Sequence, residues 1–203
     1  MNEQFSELIL NNKFCVVGNS PKELGTGNGS LIDSHDIVIR FKNYDTTEDY
    51  SEDYGQKTNV WSTPFNLTQF YRDPAPYKAS LCCLPLNIPR WRLHFGKWNI
   101  DYDLLGRYED VIQYVPWKWF EEVWYKYEIG QPSSGIITLY WMYKILGRKL
   151  KNEELFGFGL FDPKTPHHYF NHQESKIAKE WRKDTHRTHP REIEKRIWKE
   201  IVE

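Results

Sequence analysis

Short strand-like segments recur along the chain, the first two of them rich in valine and isoleucine, with glycine-rich or charged segments between them. Runs that lack polar alternation are typical of strands covered on both faces in a parallel sheet. The pattern predicts strands at residues 14–18, 36–41, 58–63, 79–86 and 154–160. The acidic, turn-rich segment at residues 42–58 predicts a solvated loop or a short helix, since like charges this close resist packing.

A second segment follows the serine pair Ser133 and Ser134 and ends at Gly147. Drawn as a helix, it is apolar on nearly every face. Pro132 and the serines are typical of a helix start, and glycine is typical of a helix end. We expect this helix to be buried. The unpaired amides of its first turn and the positive end of its dipole form a potential site for phosphate or carboxylate.

The chain closes with a predicted amphipathic helix, in which Ile193, Ile197 and Ile201 are spaced by four and Pro190 suits the first turn. Strands and helices therefore alternate from end to end. Alternation of this kind predicts an α/β fold with a largely parallel sheet flanked by helices.

The 203 residues contain no Pro/Ser-rich linker or internal repeat, so we expect a single domain over residues 1–203. Lysine and arginine number 27 against 28 acidic residues, a balance that disfavours nucleic acid as a partner. No apolar run reaches the roughly 18 to 20 residues of a membrane span, and the first residues do not resemble a secretory signal. The three cysteines lie in apolar segments without ligand spacing and predict buried free thiols. These features predict a cytoplasmic protein.

Four glycines lie between the first two predicted strands, at Gly18, Gly25, Gly27 and Gly29. Glycine lets the backbone turn sharply and lets a ligand approach amide groups, so a nucleotide is a natural candidate. The dinucleotide pattern G-x-G-x-x-G fails because Ser30 stands at its last position, and no G-K-[ST] follows for a P-loop. A glycine-rich surface loop without a ligand is the alternative.

Histidines supply the candidates for proton transfer. His189 directly precedes the last helix, where the helix dipole disfavours imidazolium and favours a neutral ring that can accept a proton. The adjacent pair His167 and His168 is a candidate for phosphate contact. Asp101 and Asp103 form a D-x-D pair, which holds a divalent cation in many nucleotide-sugar enzymes, although a loop or capping role is the simpler interpretation. The dense aromatic residues at 115–130 fill a core or an interface, or line a saccharide cleft.

In their order along the chain, four motifs resemble those of the animal-type sialyltransferases, glycosyltransferase family 29. The segment VVGNSPKELGTGNGSLIDSHDIVIRF, extended by GQKT, is similar to the long motif of that family. PSSGIITLYW followed by FGFG is similar to the short motif, HHYF to the third and HPREIE to the last, H-x4-E. The motifs span residues 16–194, and the chain looks like a minimal bacterial or viral-type member.

The resemblance implies an inverting, metal-independent transferase with a Rossmann-like GT-A variant fold. It implies a CMP-activated ulosonic acid donor, sialic acid or a relative such as Kdo, and a glycan or glycolipid acceptor. No cofactor is implied. By position in the motifs, His189 is the implied general base and His168 the implied phosphate contact. The donor-binding residues implied are Gly18, Asn19, Ser20, Asn43, Ser133, Ser134, Gly135, Gly157 and Tyr169, with Arg40 and Glu194 in support.

Three departures from the family pattern bear on the donor. Lys42 occupies the position where the family usually has asparagine after the second strand, and Asn43 comes one residue late. Gln131 replaces a tyrosine that often precedes the short motif, and Ser134 replaces threonine. Two other functions stay open: a transferase for nucleoside diphosphate sugars with a metal at Asp101 and Asp103, and a CMP- or glycan-binding module without catalysis.

Overall fold

The computed structural model describes residues 3–65, 72–84, 102–129, 132–160, 166, 168–170 and 191–203. Six strands are present in these ranges: β1 (Phe14–Val17), β2 (Ile37–Phe41), β3 (Val60–Thr63), β4 (Ala79–Cys82), β5 (Ile112–Tyr114) and β6 (Leu155–Phe156). The helices of these ranges are α1 (Glu3–Leu10), α2 (Gly29–Asp33), α3 (Glu48–Tyr54), α4 (Tyr102–Arg107), α5 (Trp117–Tyr127), α6 (Ser134–Leu146) and α7 (Arg191–Ile201).

The six strands form one sheet in the order β5-β4-β3-β2-β1-β6, and every pair is parallel. The predicted α/β fold with a parallel sheet is confirmed. Because all the strands run in one direction, their carboxyl ends lie at a single edge of the sheet. Ligands of open parallel sheets bind outside this edge, so the segments that follow the strands are the expected location of a ligand site.

Alternate residues of β1 and β2 face opposite sides of the sheet, as the pleat requires. Phe14 and Val16 belong to a large apolar cluster that contains most of α6 and the buried side of α7. Cys15 and Val17 belong to a smaller cluster with Tyr54 and Tyr169. Both faces of the sheet are therefore covered, which explains the continuous apolar runs in the sequence.

The strands are shorter than the apolar runs that predict them. The clearest case is the run at residues 154–160, of which only Leu155–Phe156 is a strand. Gly157 follows with φ +66°, a left-handed conformation that turns the chain away from the sheet. Strand β5 was not predicted, because its three residues are too few to give a periodic signal.

The two helix predictions at the carboxyl-terminal half are confirmed where the structure describes them. Ser133 caps α6, its hydroxyl accepting a hydrogen bond from the amide of Ile136 at 3.3 Å, and Gly147 ends the helix with φ +63°. Helix α7 buries Ile197 and Ile201. The acidic segment after β2 contains α3, one of the two alternatives predicted for it.

Helix α1 at the start of the chain was not predicted. Its Phe5 and Ile9 are buried, and the Phe5 ring meets Trp141 of α6 edge to face at 5.2 Å. The predicted free thiols are confirmed, since Cys15, Cys82 and Cys83 are all buried and unpaired with one another. Among the residues described, no helix combines the length and the apolar character that crossing a membrane requires.

Candidate functional site

Asn19 lies just beyond the carboxyl end of β1 and joins it to the end of β2. Its side-chain amide donates to the carbonyl oxygen of Phe41 at 3.1 Å and to that of Asn43 at 3.0 Å. The predicted donor residues Asn19 and Asn43 are thus brought together. The two bonds fix the path of the chain through Lys42, which has φ +49°.

Gly18 and Gly157 cross in direct backbone contact. The amide of Gly18 donates to Phe156 at 2.8 Å, and the amide of Ser20 donates to Gly157 at 2.9 Å. A Cβ atom on Gly18 would lie 2.5 Å from the carbonyl oxygen of Gly157, and a Cβ on Gly157 would lie 2.5 Å from that of Gly18. Glycine is required at both positions because no side-chain carbon fits between the two chains.

Tyr169 holds the short described segment 168–170 against the ends of β1 and β2. Its amide donates to the carbonyl oxygen of Asn19 at 3.0 Å, and its ring stacks on Tyr54 at 3.7 Å between centroids. Its hydroxyl donates to the carbonyl of Asp45 and accepts from the Asp45 amide. This anchor fixes the backbone next to His168, whose ring stacks on Phe170 at 5.0 Å.

The first turn of α6 is bound by Glu194 of α7. The amide of Ser133 donates to one carboxylate oxygen of Glu194 at 2.6 Å, and the Ser133 hydroxyl donates to the other at 3.0 Å. An internal carboxylate therefore already occupies part of the anion site predicted for this helix. Ser133 positions the helix through Glu194, in addition to any contact with a ligand.

The Ser134 hydroxyl is also engaged, because it accepts a hydrogen bond from the Cys83 thiol at 3.3 Å. The amides of Ser134 and Gly135 begin the helix and have no intrahelical partner, so they are the donors that suit an anion. Phe158 links this turn to β1: Cβ atoms built on Gly135 and Gly18 would lie 3.4 and 3.3 Å from its ring.

Glu194 is a buried carboxyl group, 1% exposed. Burial raises the pKa of Glu194 to about 7, while the two hydrogen bonds from Ser133 and the charge of Lys42 act in the opposite direction. Burial in turn lowers the pKa of Lys42, which Cys83 and Glu194 oppose. Sequence reasoning assigned Glu194 a supporting role but gave no sign that it would titrate near neutral pH.

The raised pKa of Glu194 predicts how stability depends on pH. The carboxyl binds its proton more tightly in the folded protein than in the unfolded chain, so its contribution favours folding at low pH. That contribution is lost as the pH rises from about 4.5 to about 7. Each unit of pKa difference is worth about 1.4 kcal/mol.

We therefore expect the free energy of unfolding of the wild type to fall relative to that of Glu194→Gln across this window. Urea unfolding at a series of pH values measures the difference. Glutamine is the matched control, because it keeps the size and a carbonyl acceptor but does not titrate. Parallel stability curves for the two proteins would contradict the assignment.

Arg40 is fully buried in β2, and two of its three side-chain nitrogens bind backbone. Its Nε donates to the carbonyl of Lys57 at 3.0 Å, and one terminal nitrogen donates to that of Tyr54 at 2.6 Å. These bonds hold the segment that follows α3. The supporting role of Arg40 stays a prediction from the sequence.

The glycine turn is held by acidic side chains that the sequence analysis did not single out. Asp53 accepts from the amides of Gly25 at 2.7 Å and Gly27 at 2.9 Å, and Asp33 accepts from those of Gln56 and Lys57. The prediction that this turn presents amides to a nucleotide therefore does not extend to Gly25 and Gly27. Asp33 lies within the long motif and Asp53 lies just before GQKT, but the amides that they bind are distant in sequence.

Several predicted residues lie outside the described part of the chain. His189, Asp101, His167 and Gln131 belong to this group, and the side chain of Asp103 does as well. Their roles stay predictions from the sequence. The structure brings the other predicted residues together in two groups. The first group is Gly18, Asn19, Ser20, Asn43, Gly157 and Tyr169. The second group is Ser133, Ser134, Gly135 and Glu194.

Comparison with known proteins agrees with the motif pattern. Residues 10–75 match the model of glycosyltransferase family 29 (sialyltransferase). The chain is 25% identical over 180 residues to CMP-N-acetylneuraminate-beta-galactosamide-alpha-2,3-sialyltransferase 2 of Mus musculus. This match covers 83% of this chain and 49% of the relative. The chain is also 30% identical over 161 residues to beta-galactoside alpha-2,6-sialyltransferase 2 of Danio rerio. This second match covers 63% of this chain and 29% of the relative. The chain thus spans about half the length of the mouse relative.

The fold is similar to that of a solved mammalian sialyltransferase. The two structures superpose with a TM-score of 0.59 at 20% identity, over 91% of this chain and 64% of the other. The likeness extends well beyond the residues matched by the family model. It supports the α/β architecture for nearly the whole described chain.

The predicted cytoplasmic location is wrong by this comparison, since the animal sialyltransferases related to this chain are enzymes of the Golgi lumen. The prediction relied in part on three free thiols. Burial raises the pKa of Cys83 to about 11 and that of Cys15 to about 12. Because the thiolate is the reactive form, such thiols stay unpaired for local reasons and do not identify a compartment.

Four motifs in order, the match to the family model and the two animal relatives all lead to one family. The architecture of the parallel sheet is consistent with them. The chain is similar to glycosyltransferase family 29, the sialyltransferase family, in the segment that the family model matches and in its likeness to the two animal relatives.

Proposed function

We propose that this chain is a transferase that moves sialic acid from CMP-sialic acid to a hydroxyl group of a glycan acceptor. The observation that carries the proposal is the convergence of segments from all four motifs at the carboxyl edge of the sheet. Asn19 meets Tyr169, Gly18 meets Gly157, and Ser133 meets Glu194. These motifs are distant in sequence, so their meeting at one edge supports a shared ligand.

The proposed site divides into two parts that suit the two ends of the donor. The end of β1, around Gly18 and Asn19, takes the nucleotide. The amides of Ser134 and Gly135 take an anionic group of the donor, its phosphate or its carboxylate. A Rossmann-like GT-A variant over residues 1–203, acting as one catalytic domain, is part of the proposal.

The proposed reaction is a single displacement with inversion. The acceptor oxygen forms a bond to the anomeric carbon while the bond from that carbon to the phosphate oxygen breaks, its electron pair leaving with CMP. His189 takes the proton of the acceptor hydroxyl, and His168 stabilises the charge that grows on the phosphate. No divalent ion takes part in the proposed step.

Release of CMP by purified protein in EDTA tests the proposal. CMP-sialic acid is offered with and without a panel of glycan acceptors, and freshly generated CMP-Kdo forms a second arm. We expect release that an acceptor stimulates, with CMP-sialic acid as the better donor. Activity that EDTA abolishes and metal restores would favour the Asp101 and Asp103 alternative. CMP binding without release from either donor would favour a binding module.

A further inference from the structure

After β2 the chain passes through three consecutive residues, Asn43, Tyr44 and Asp45, and each of them is held by a residue that is distant in sequence. Asn19 donates to the carbonyl oxygen of Asn43 at 3.0 Å. The hydroxyl of Tyr169 bonds to both the amide and the carbonyl of Asp45. Asn19 and Tyr169 belong to the four motifs, whereas the residue that holds Tyr44 lies outside all of them.

That residue is Arg72, in the connection between β3 and β4. One terminal nitrogen of its guanidinium donates to the carbonyl oxygen of Tyr44. The central carbon of the guanidinium lies 3.8 Å from the centroid of the Tyr44 ring. The Tyr44 hydroxyl is bonded in turn to the hydroxyl of Tyr77 at 2.8 Å. The main chain and the side chain of Tyr44 are therefore both fixed.

A guanidinium group suits these two contacts at once. It is planar, so its face can stack on an aromatic ring while the N–H groups at its edge donate hydrogen bonds. The ammonium of a lysine is compact and has no flat face, so it replaces only part of this arrangement. Because Tyr44 is 5% exposed, little water is available to replace a contact that is lost.

We propose that Arg72 is a positioning residue for the nucleotide part of the donor site: it fixes Tyr44, and Tyr44 keeps Asn43 beside Asn19 at the carboxyl end of β1. Asn43 itself is exposed, so a ligand can reach its side chain while its backbone is held from both sides. The inference rests on the proposed function for its ligand measurement, whereas the restraint on residues 43–45 is present without any donor.

Arg72→Met tests the restraint, since methionine keeps an apolar stem but neither donates a hydrogen bond nor carries a charge. Hydrogen exchange of backbone amides, followed by mass spectrometry without ligand, reports on residues 43–47. We expect exchange there to be about tenfold faster, and exchange in α6 to stay at the wild-type rate. Arg107→Met is the matched control, because Arg107 is exposed on α4, away from these contacts, and we expect it to change neither segment.

The affinity for CMP, measured by calorimetry, supplies the second reading. We expect Arg72→Met to bind CMP roughly tenfold more weakly. The KM for the donor should rise by a similar factor while kcat changes by less than about threefold, because the lost restraint acts on binding. Arg72→Lys keeps the charge and is expected to lie between the two proteins in both readings. It carries the test alone if Arg72→Met does not fold.

Wild-type exchange at residues 43–47 in these variants would overturn the proposal, as would faster exchange beside an unchanged affinity for CMP. Equal acceleration in α6 would also overturn it, because Arg72 would then stabilise the fold as a whole. Faster exchange confined to residues 43–47, beside absent CMP binding by the wild type, would support the restraint and count against the proposed function instead.

Discussion

Replacement of His189 with alanine is expected to lower acceptor-dependent turnover by roughly 10²- to 10⁴-fold, the usual contribution of a general base. The acceptor hydroxyl keeps its proton in this variant, so the bond to the anomeric carbon forms slowly. The affinity for CMP should stay within a few-fold of the wild type, because the base acts on the acceptor. Turnover is measured as CMP release, and affinity by calorimetry.

His186→Ala is the matched control, since it removes a histidine three positions earlier in the same segment. We expect it to retain turnover close to that of the wild type. Near-normal transfer by His189→Ala would eliminate His189 as the base. Loss of CMP binding along with transfer would instead assign His189 to the donor site.

Gly157→Ala is expected to destabilise the fold by about 3 kcal/mol or more. The left-handed conformation at φ +66° costs an alanine roughly 1–2 kcal/mol. Its Cβ would also lie 2.5 Å from the carbonyl oxygen of Gly18, a backbone atom that cannot rotate away. The chains must separate, which weakens the two hydrogen bonds that cross there, each worth about 1 kcal/mol. Urea unfolding measures the loss.

Two other glycines separate the causes. Gly25 has φ +78° with no described atom within 4 Å of an added Cβ, so Gly25→Ala should show the backbone cost alone. Gly106 in α4 has neither the conformation nor the contact, and Gly106→Ala should be neutral or stabilising by up to about 1 kcal/mol. Equal losses in Gly157→Ala and Gly25→Ala would show that the contact with Gly18 does not matter.

The sequence predicts β1 to β4 because all four strands are buried on both faces, and β1 and β2 are rich in valine and isoleucine. Helix α6 is equally clear, with Ser133 and Gly147 at its ends. The sequence does not predict strand β5, because its three residues are too few to show a periodic pattern. Nor does it predict helix α1, because only Phe5 and Ile9 mark its buried face, and their partner Trp141 is far away in sequence.

The site divides in the same way. The motifs locate Asn19, Ser133 and Glu194, since each stands at a fixed place beside a strand or helix. They do not reveal that Glu194 binds Ser133, or that Asp53 occupies two amides of the glycine turn. Such pairings depend on how the helices pack against the sheet, and the order of residue types along the chain does not show that packing.

The pairing of β1 with β6 has a consequence for the order of folding. Val16 pairs with Leu155, so the hydrogen bonds between β1 and β6 join segments that are far apart in sequence. Strands β1, β2, β3 and β4, in contrast, pair in sequence order. Contacts between distant segments form slowly because a long loop must close first. During synthesis β1 remains an open edge until β6 emerges. During that interval the nascent chain is most prone to aggregation, and a chaperone would bind it then.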